Sequence, residues 1–440
     1  MDELEQIILA TIDSRAEELI AFAENIYAHA EPGYREVQTA GKVSRMLQSL
    51  GLTVRERLAV TGVKAKLKEG GGITVAAIGE LDGVDCPNHA FANPASGYSH
   101  ACGHHCQLAA MVGSAMALTV PEVAAALDGN VAFFAVPSEE YNDLEHKSWM
   151  MEKGIIQYGS GKSELIRLGE FDDINLSVVH HLHMIDTYYD VLLGMNTTNG
   201  FIMKLVTYQG KSAHGALAPH KGVNALNAAS LALSALAYQR ETFRDCDYVR
   251  LHAIISEGGG VVNVIPDHVV VESQIRAKTM AAMLDANHKA NRSFEAGAHA
   301  IGAGVQIRDF PGYLPVLDAV NTRPMDEAAR LAAAGKKVSA IDLTQHNPAS
   351  TDVGDLCHLM PVLAFTTGGF KGSLHSADFE ITDKYLAYVL PAKIVALTIY
   401  HALKNGAFEA KRILDGYSQH LTKKEYLEYL AGFSAQPETV

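Results

Sequence analysis

Apolar residues recur at helical spacing through the first fifty positions, at Ile7, Ile8, Leu9 and Ile12 and again at Leu19, Ile20 and Phe22. This predicts two helices within residues 2–50, separated at AEPGY, with Gly51 ending the second. The pattern then changes to short apolar runs, ITVAAIG from Ile73 and NVAFFAV from Asn130, bounded by Gly, Asn or Pro as buried strands of an α/β sheet are. QLAAMVGSAMAL between them is apolar all round and predicts a buried helix. From about Gly200 the order is strand FIMKLVTY, helix GVNALNAASLALSALAYQ, strands VRLHAIIS and HVVVESQIRA, helix MAAMLDANHKANRSFEAGAHAIG and strand GVQIRD. That is a β-α-β-β-α-β unit of the ferredoxin-like kind. In the first of its helices Val223, Leu226, Leu233 and Leu236 share a face. After about Tyr313 the α/β character returns, with MPVLAFT as a strand and YLAYVLPAKIVALTIYHAL as a long helix. The charged and polar residues beyond Gly406 predict a loosely attached helix.

A chain of 440 residues, 48% of them hydrophobic, exceeds the usual single core and points to two domains. Its formal charge of -14, with no Lys/Arg-rich tract, argues against nucleic acid or an anionic membrane as partner and leaves a small molecule. MDELEQIILATIDSR carries three acids in its first five residues and turns polar again at Thr11, unlike a signal peptide or a membrane span, so the cytoplasm is expected. Five cysteines do not suggest a disulfide scaffold, and a reducing compartment leaves Cys102 and Cys106 free for metal or chemistry.

Three clusters carry candidate chemistry. Cys102-Gly103-His104 sets a thiolate and an imidazole around a glycine turn, able to address one metal centre, although a lone Cys-x-His is more often packing. PSEEY follows the strand NVAFFAV, and strand ends are where α/β sheets gather ligands. There one carboxylate can bind metal while the other holds the attacking water; in isolation the pair would be a solvated acidic loop. VVHHLHM places His181 and His183 on one strand face, and GSLHSADF adds His375. Together, Cys, His, Glu, His and His on successive strand-to-helix connections would give two divalent ions a shared site, as hydrolysis at neutral pH favours.

These residues, in this order, resemble the co-catalytic zinc peptidases and amidohydrolases that include the aminoacylases, carboxypeptidase G and the amidohydrolases of indole-acetyl or aminobenzoyl amino acids. The resemblance runs through YAHAEPGYREVQTA, GELDG, SHACGHH, PSEE, HHLHM, GKSAHGALAPHKGVNAL, EGGGVVNVIPD, QIRAKT, ASTDVGD and LHSADF, and HACGH places the chain nearest the branch with a cysteine ligand. It implies two divalent ions per subunit, zinc or manganese with cobalt possible, held by Cys102, His104, Glu140, His183 and His375, with Cys102 bridging. His181 in place of His183 stays open. It further implies Glu139 as general base toward a metal-bound water, His214 and Asn263 near the substrate carbonyl or carboxylate, and Arg276 on the carboxylate. Many relatives carry Asp or Asn where this chain has His105, which either removes an acceptor behind a ligand or adds a donor.

With four ligands before residue 190 and the fifth at His375, the expected catalytic domain is discontinuous, 1–195 and 313–440, around an inserted dimerisation and lid domain at 196–312. The fold class is thus α/β, a mixed sheet flanked by helices plus a ferredoxin-like insertion. The expected protein is a homodimeric amidohydrolase acting on N-acyl or aminobenzoyl amino acids or small dipeptides. Two other readings compete with it: a hydrolase with Cys102 or Cys106 as nucleophile, and a catalytically silent small-ligand binder.

Overall fold

The computed structural model describes residues 1–185, 187–317, 323–433 and 438–439. The chain divides into two compact units, one of Met1–Asn196, Asp318–Gln345 and Leu356–His420, the other of Thr197–Leu317, His346–Asp355 and Leu421–Val440. The second unit therefore takes in two segments beyond the single insertion expected from ligand order. Hydrogen bonds tie the first of these, His346–Asp355, into the unit: His346 Nε2 to Asn199 Oδ1 at 2.9 Å, and the Leu314 N–H to Asp355 Oδ1 at 3.0 Å.

The first unit holds an eight-stranded mixed sheet, in the spatial order Val54–Leu58, Gly62–Lys66, Asn130–Val136, Thr74–Glu80, Leu176–Leu182, Val362–Thr367, Val191–Leu193 and Val338–Ala340. Four neighbours, Asn130–Val136, Thr74–Glu80, Leu176–Leu182 and Val362–Thr367, run parallel. Asn130–Val136 and Thr74–Glu80 are buried throughout, as continuous apolar runs covered on both faces must be. The helix His104–Leu118 is buried at every position, and it packs against the strand Thr74–Glu80 and the helices Glu3–Ser14, Ala16–Tyr27 and Leu390–Gly416. Gly79 allows the approach: a Cβ there would sit 3.1 Å from the Leu108 backbone. The N-terminal region forms three helices, Glu3–Ser14, Ala16–Tyr27 and Val37–Ser49, because the first expected helix breaks at Arg15. Gly51, with φ at +82°, terminates the third.

The long C-terminal helix begins with a π-helical turn at Tyr385–Val389 and runs to Gly416, interrupted by non-helical backbone at Lys404–Ala407. The stretch after Gly406 is not loosely attached, since Ala407, Ala410 and Ile413 are buried against the core. Tyr385–Gly416 is long and apolar enough to cross a membrane, but its apolar window is wholly buried inside the protein, so it is a core helix.

The second unit holds a five-stranded antiparallel sheet ordered Arg250–Glu257, His268–Ala277, Gly200–Gln209, Gly304–Pro311 and Glu438–Thr439, with helices Ala225–Tyr238 and Met280–Ile301 connecting its strands. The two helices meet through small residues: Ala228 and Ala232 lie so close to Gly297 that a Cβ there would stand 2.4 Å from the Ala228 carbonyl. Its core face is alanine-rich, with Ala225, Ala228, Ala229, Ala232 and Leu236 buried and Leu226 and Leu233 packed at the margin.

Gly113 marks the tightest contact of the buried helix, where an added Cβ would lie 2.5 Å from Ala392 Cβ and 2.7 Å from Leu19 Cδ2. Gly113→Val should destabilise the protein by about 1–3 kcal/mol through overpacking. A lower denaturant midpoint at unchanged slope checks this, and a wild-type midpoint would contradict it.

Candidate metal centre

The carboxyl ends of the four parallel strands carry the candidate chemistry, the place where open α/β sheets bind ligands. After Asn130–Val136 the chain turns at Ser138, whose φ of +50° is unusual for a residue with a Cβ. Glu36 accepts the Ser138 N–H at 2.8 Å and the Thr61 hydroxyl at 2.6 Å, and Gly33 lies where a Cβ would come within 2.7 Å of Ser138 Oγ. The Glu140 N–H donates to Asp82 Oδ2 at 2.8 Å, and Lys147 Nζ donates to the Glu140 carbonyl at 2.7 Å. The backbone of the Glu139–Glu140 pair is thus held on both sides.

Gly103, at φ +88°, is the N-cap of the buried helix and passes directly over the neighbouring strand, where a Cβ would stand 2.7 Å from Leu182 Cδ1. The turn brings Cys102 and His104 to the strand end that carries His181. His104 Nδ1 donates to the Asp82 carbonyl at 2.9 Å, and His181 Nδ1 to the Leu182 carbonyl at 2.9 Å, which turns both Nε2 atoms toward the site. Cys102 Sγ lies 3.7 Å from His181 Nε2 and 3.2 Å from His375 Nε2. His375 has φ +59° and is anchored by its N–H to the Ala101 carbonyl at 2.9 Å; its Nε2 is also 3.1 Å from Glu140 Oε1.

Two groups of potential ligands result, Cys102 with His104 and His181, and Cys102 with Glu140 and His375, the ligand atoms of each within 4.8 Å of one another. A third comprises Glu80, His104 and Glu139. His104 Nε2 and Glu140 Oε1 are buried and have no hydrogen-bond partner, although Glu80 Oε2 is 3.2 Å from the first and His375 Nε2 3.1 Å from the second. Atoms that approach so closely without hydrogen-bond geometry are aimed at shared points rather than at each other. The thiolate, imidazole and carboxylate set therefore fits divalent cations, including zinc.

His183 does not join this set. The strand ends at Leu182, so strict alternation no longer carries residue 183 to the face of His181. Its Nδ1 lies 2.7 Å from the Thr366 hydroxyl and its Nε2 3.0 Å from the Tyr189 carbonyl, which occupies both ring nitrogens. His181, the alternative left open by the sequence, is the histidine that faces Cys102.

Charge is redistributed around the cluster. Burial and Glu140 would raise the Cys102 thiol, but the imidazoles of His104 and His181 outweigh them and bring it to about 6. Burial alone would also raise Glu80, yet the Lys162 ammonium at 2.6 Å, together with His104, holds it down at about 2. Burial lowers His375, but Cys102 and Glu140 reverse this and lift it to about 11. Burial and Asp82 raise Glu36 to about 8, while burial lowers Lys147 to about 8.

His105 is turned away from the metal groups. It stacks on Tyr27 with ring centroids 4.6 Å apart, and burial, His100 and His104 keep it neutral by driving its pKa well down. It acts neither as an added ligand nor as an acceptor behind His104, a task the Asp82 carbonyl performs. Cys106 is wholly buried and its thiol is pushed well up, so it is no nucleophile.

His214, Asn263 and Arg276 belong to the second unit. His214 is exposed, with Nδ1 accepting the Leu217 N–H at 3.0 Å, and the adjacent Gly215 N–H donates to the Asn263 carbonyl at 2.8 Å. Arg276 donates to Gln274 Oε1 at 2.7 Å and to Ser350 Oγ at 3.1 Å, and lies over the Phe201 ring. Sequence reasoning missed Glu80 and Asp82. Their signal was two acids two apart at the end of an apolar run, inside the GELDG that entered only as one of the motifs of the resemblance.

Residues 196–300 match the peptidase dimerisation domain of the M20 family. The chain is 28% identical over 371 residues to the Xaa-Arg dipeptidase of Mus musculus, covering 80% of this chain and 76% of that protein. It is 25% identical to a p-aminobenzoyl-glutamate hydrolase polypeptide of Escherichia coli K12, over 64% of this chain and 55% of that one. A solved dinuclear metal-binding peptidase of the M20 family from Bacillus subtilis shares the fold, with a TM-score of 0.61 at 21% identity over 88% of this chain and 98% of that one. The dimerisation domain, the relatives and the fold agree: residues 196–300 carry the M20 peptidase dimerisation domain, and the proteins this chain is similar to are named as peptidases and amidohydrolases, hydrolases of amide bonds.

Proposed function

We propose that this chain is a metal-dependent amidohydrolase that cleaves the amide bond of N-acyl or aminobenzoyl amino acids or small dipeptides. The observation that carries this reading is Cys102 Sγ, common to two ligand groups at the carboxyl ends of parallel strands. Relatives named as a dipeptidase and as an aminobenzoyl-glutamate hydrolase support the substrate class. The ligands are Cys102, His104 and His181 on one side and Cys102, Glu140 and His375 on the other. The ions are zinc, manganese or cobalt. When bound, they supply Lewis acidity toward the amide carbonyl and lower the pKa of water into the neutral range.

The chain's own residues do the rest. Glu139 takes the proton of the attacking water and delivers it to the leaving amine, a transfer that needs its carboxylate held still. Glu36, Asp82 and Lys147 provide that restraint through the backbone. Arg276 anchors the substrate carboxylate, for which a guanidinium fork is suited. Asn263 and His214 serve the substrate's carbonyl or carboxylate end, His214 acting on the partner's site in a homodimer. Dimerisation is supported by an open sheet edge at Arg250–Glu257 that exposes Ile254 and by exposed Leu231 and Tyr238 on the neighbouring helix. A cytoplasmic setting suits a thiolate ligand. The thiol of Cys102, brought to about 6 beside two imidazoles, favours one rival reading, a cysteine nucleophile.

Chelator treatment separates the two. Removal of metal should abolish turnover of acyl-amino acids, and zinc, manganese or cobalt should restore it. Full activity of a verified metal-free preparation would favour the cysteine reading instead.

Within the site, Glu139→Gln should keep both ions and lose about 10²–10⁴-fold in turnover. Glu140→Ala and His181→Ala should lose metal, whereas His183→Ala should retain it. Metal analysis alongside kinetics checks the assignment, and the reverse pattern at either pair would show the roles exchanged.

Arg276→Ala should raise KM sharply for substrates with a free carboxylate and far less for their amides. An equal loss on both would make Arg276 a structural residue.

A further inference from the structure

One row of the second unit's sheet gathers positive charge. Arg250 and Arg276 are direct partners across the antiparallel strands Arg250–Glu257 and His268–Ala277, and Arg276 is in turn the partner of Phe201. Along His268–Ala277 the residues Val269, Val271, Ile275 and Ala277 are buried in the core shared with the two helices. Alternation therefore puts Arg276, and Arg250 opposite it, on the other face of the sheet. Like charges set directly opposite one another, with Cβ atoms about 4.5–5.5 Å apart, destabilise an antiparallel pair.

A third cation stands at the same end. Lys278 Nζ lies 5.6 Å from the centre of the Tyr248 ring, and the Tyr248 and His346 rings are 4.4 Å apart. His346 uses both ring nitrogens within this unit, Nε2 toward Asn199 Oδ1 at 2.9 Å and Nδ1 toward the Thr197 hydroxyl at 2.8 Å. Burial lowers its pKa, and Lys278 and Arg250 lower it further, to about 4, so it adds no charge and marks where the two cations lie. Arg250 donates to the Val249 carbonyl at 3.0 Å, and the Lys278 N–H donates to the Asp247 carbonyl at 2.9 Å. Among the described residues neither Arg250 nor Lys278 makes an ion pair. The nearest acid on the same face of His268–Ala277 is Glu272, beyond Gln274.

We propose that Arg250 and Lys278 receive a second carboxylate of the substrate, beside the one assigned to Arg276, so that the amino acid released is an acidic one, aspartate or glutamate. The proposal rests on the amidohydrolase reading and on Arg276 as the carboxylate anchor. Two guanidiniums rooted on opposite residues can each fork onto one carboxylate of the same small molecule. Arg276 is already held for this: its guanidinium lies 5.4 Å from the centre of the Phe201 ring and donates to Gln274 Oε1 and Ser350 Oγ. An anion at Arg250 and Lys278 relieves the repulsion across the strand pair, whereas a substrate with a lysine or arginine side chain there meets like charge and is rejected.

The test uses the zinc-loaded wild-type protein with N-benzoyl-L-glutamate, N-benzoyl-L-glutamine and N-benzoyl-L-lysine, read by kcat/KM and, independently, by calorimetric binding. The glutamate conjugate should be preferred over the glutamine conjugate by about 10–100-fold, the worth of hydrogen bonds to a charged group, and the lysine conjugate should rank last. Arg250→Gln with Lys278→Gln should remove that preference by raising KM for the glutamate conjugate alone, and each single variant should remove part of it. Equal kcat/KM for the glutamate and glutamine conjugates in the wild type overturns the proposal and leaves the amidohydrolase reading standing. An equal loss on both conjugates in the variants also overturns it, since that is what a structural role would give. Selective binding of the glutamate conjugate without hydrolysis of any conjugate supports the subsite and sinks the amidohydrolase reading; equal binding without hydrolysis overturns both.

Discussion

The first unit converges on one sulfur atom. Cys102 Sγ has His181 Nε2 at 3.7 Å and His375 Nε2 at 3.2 Å, and it belongs to both main ligand groups. His181 lies in the strand 176–182, Cys102 is reached by the chain that leaves 74–80 and His375 by the chain that leaves 362–367, so the cluster depends on these strands being adjacent and parallel. The sheet meets that condition in consecutive positions of its order. The wholly buried helix His104–Leu118 then fixes the height of the cluster above the sheet, because His104 is its first residue and Gly79 and Gly113 hold it in contact on two sides.

Gathering Glu36, Glu80, Asp82, Glu139 and Glu140 at one end of a sheet would be prohibitive without compensation, since isolated buried charge is strongly disfavoured. Two lysines, both nearly inaccessible, meet this demand. Lys162 stands on Glu80 and Lys147 on the Glu140 carbonyl. The division is uneven: Glu80 is held at about 2, whereas Glu36, wholly buried and facing Asp82, rises to about 8. On the side of His104 Nε2 and Glu140 Oε1, the proposed divalent cations would complete the balance.

Much of this was legible in the sequence because the α/β strands are buried on both faces and read as unbroken apolar runs, and because the inserted unit repeats a recognisable β-α-β-β-α-β order. The loops of the candidate site were legible for a different reason: Cys102, His104, Glu139, Glu140 and His375 sit in compact local motifs. What failed depended on where regular structure stops. His183 was preferred over His181 by motif, but the strand ends at Leu182 and alternation ends with it. The helix at Gln107 begins three residues earlier, at His104, so His105 enters the core rather than the site. Ala407, Ala410 and Ile413 carry a buried stripe through a segment whose overall polarity suggested looseness. Lys147, Lys162 and Glu36 left no local signal, since a buried lysine or glutamate is defined by partners 25 to 102 residues away in the case of Glu36 and 82 in that of Lys162.

Two turns of the candidate site are held in backbone conformations that residues with a Cβ rarely adopt, at Ser138 and at His375. Left-handed backbone at such residues costs on the order of 1–3 kcal/mol each and persists only where the surroundings over-determine it. Here they do. Ser138 is fixed by its N–H on Glu36, its carbonyl on the Gly161 N–H at 3.0 Å, and the close approach of Gly33. His375 is fixed by its N–H on Ala101, one residue from Cys102. In both cases the strained residue sits where the chain must reverse sharply to present a side chain at the strand end.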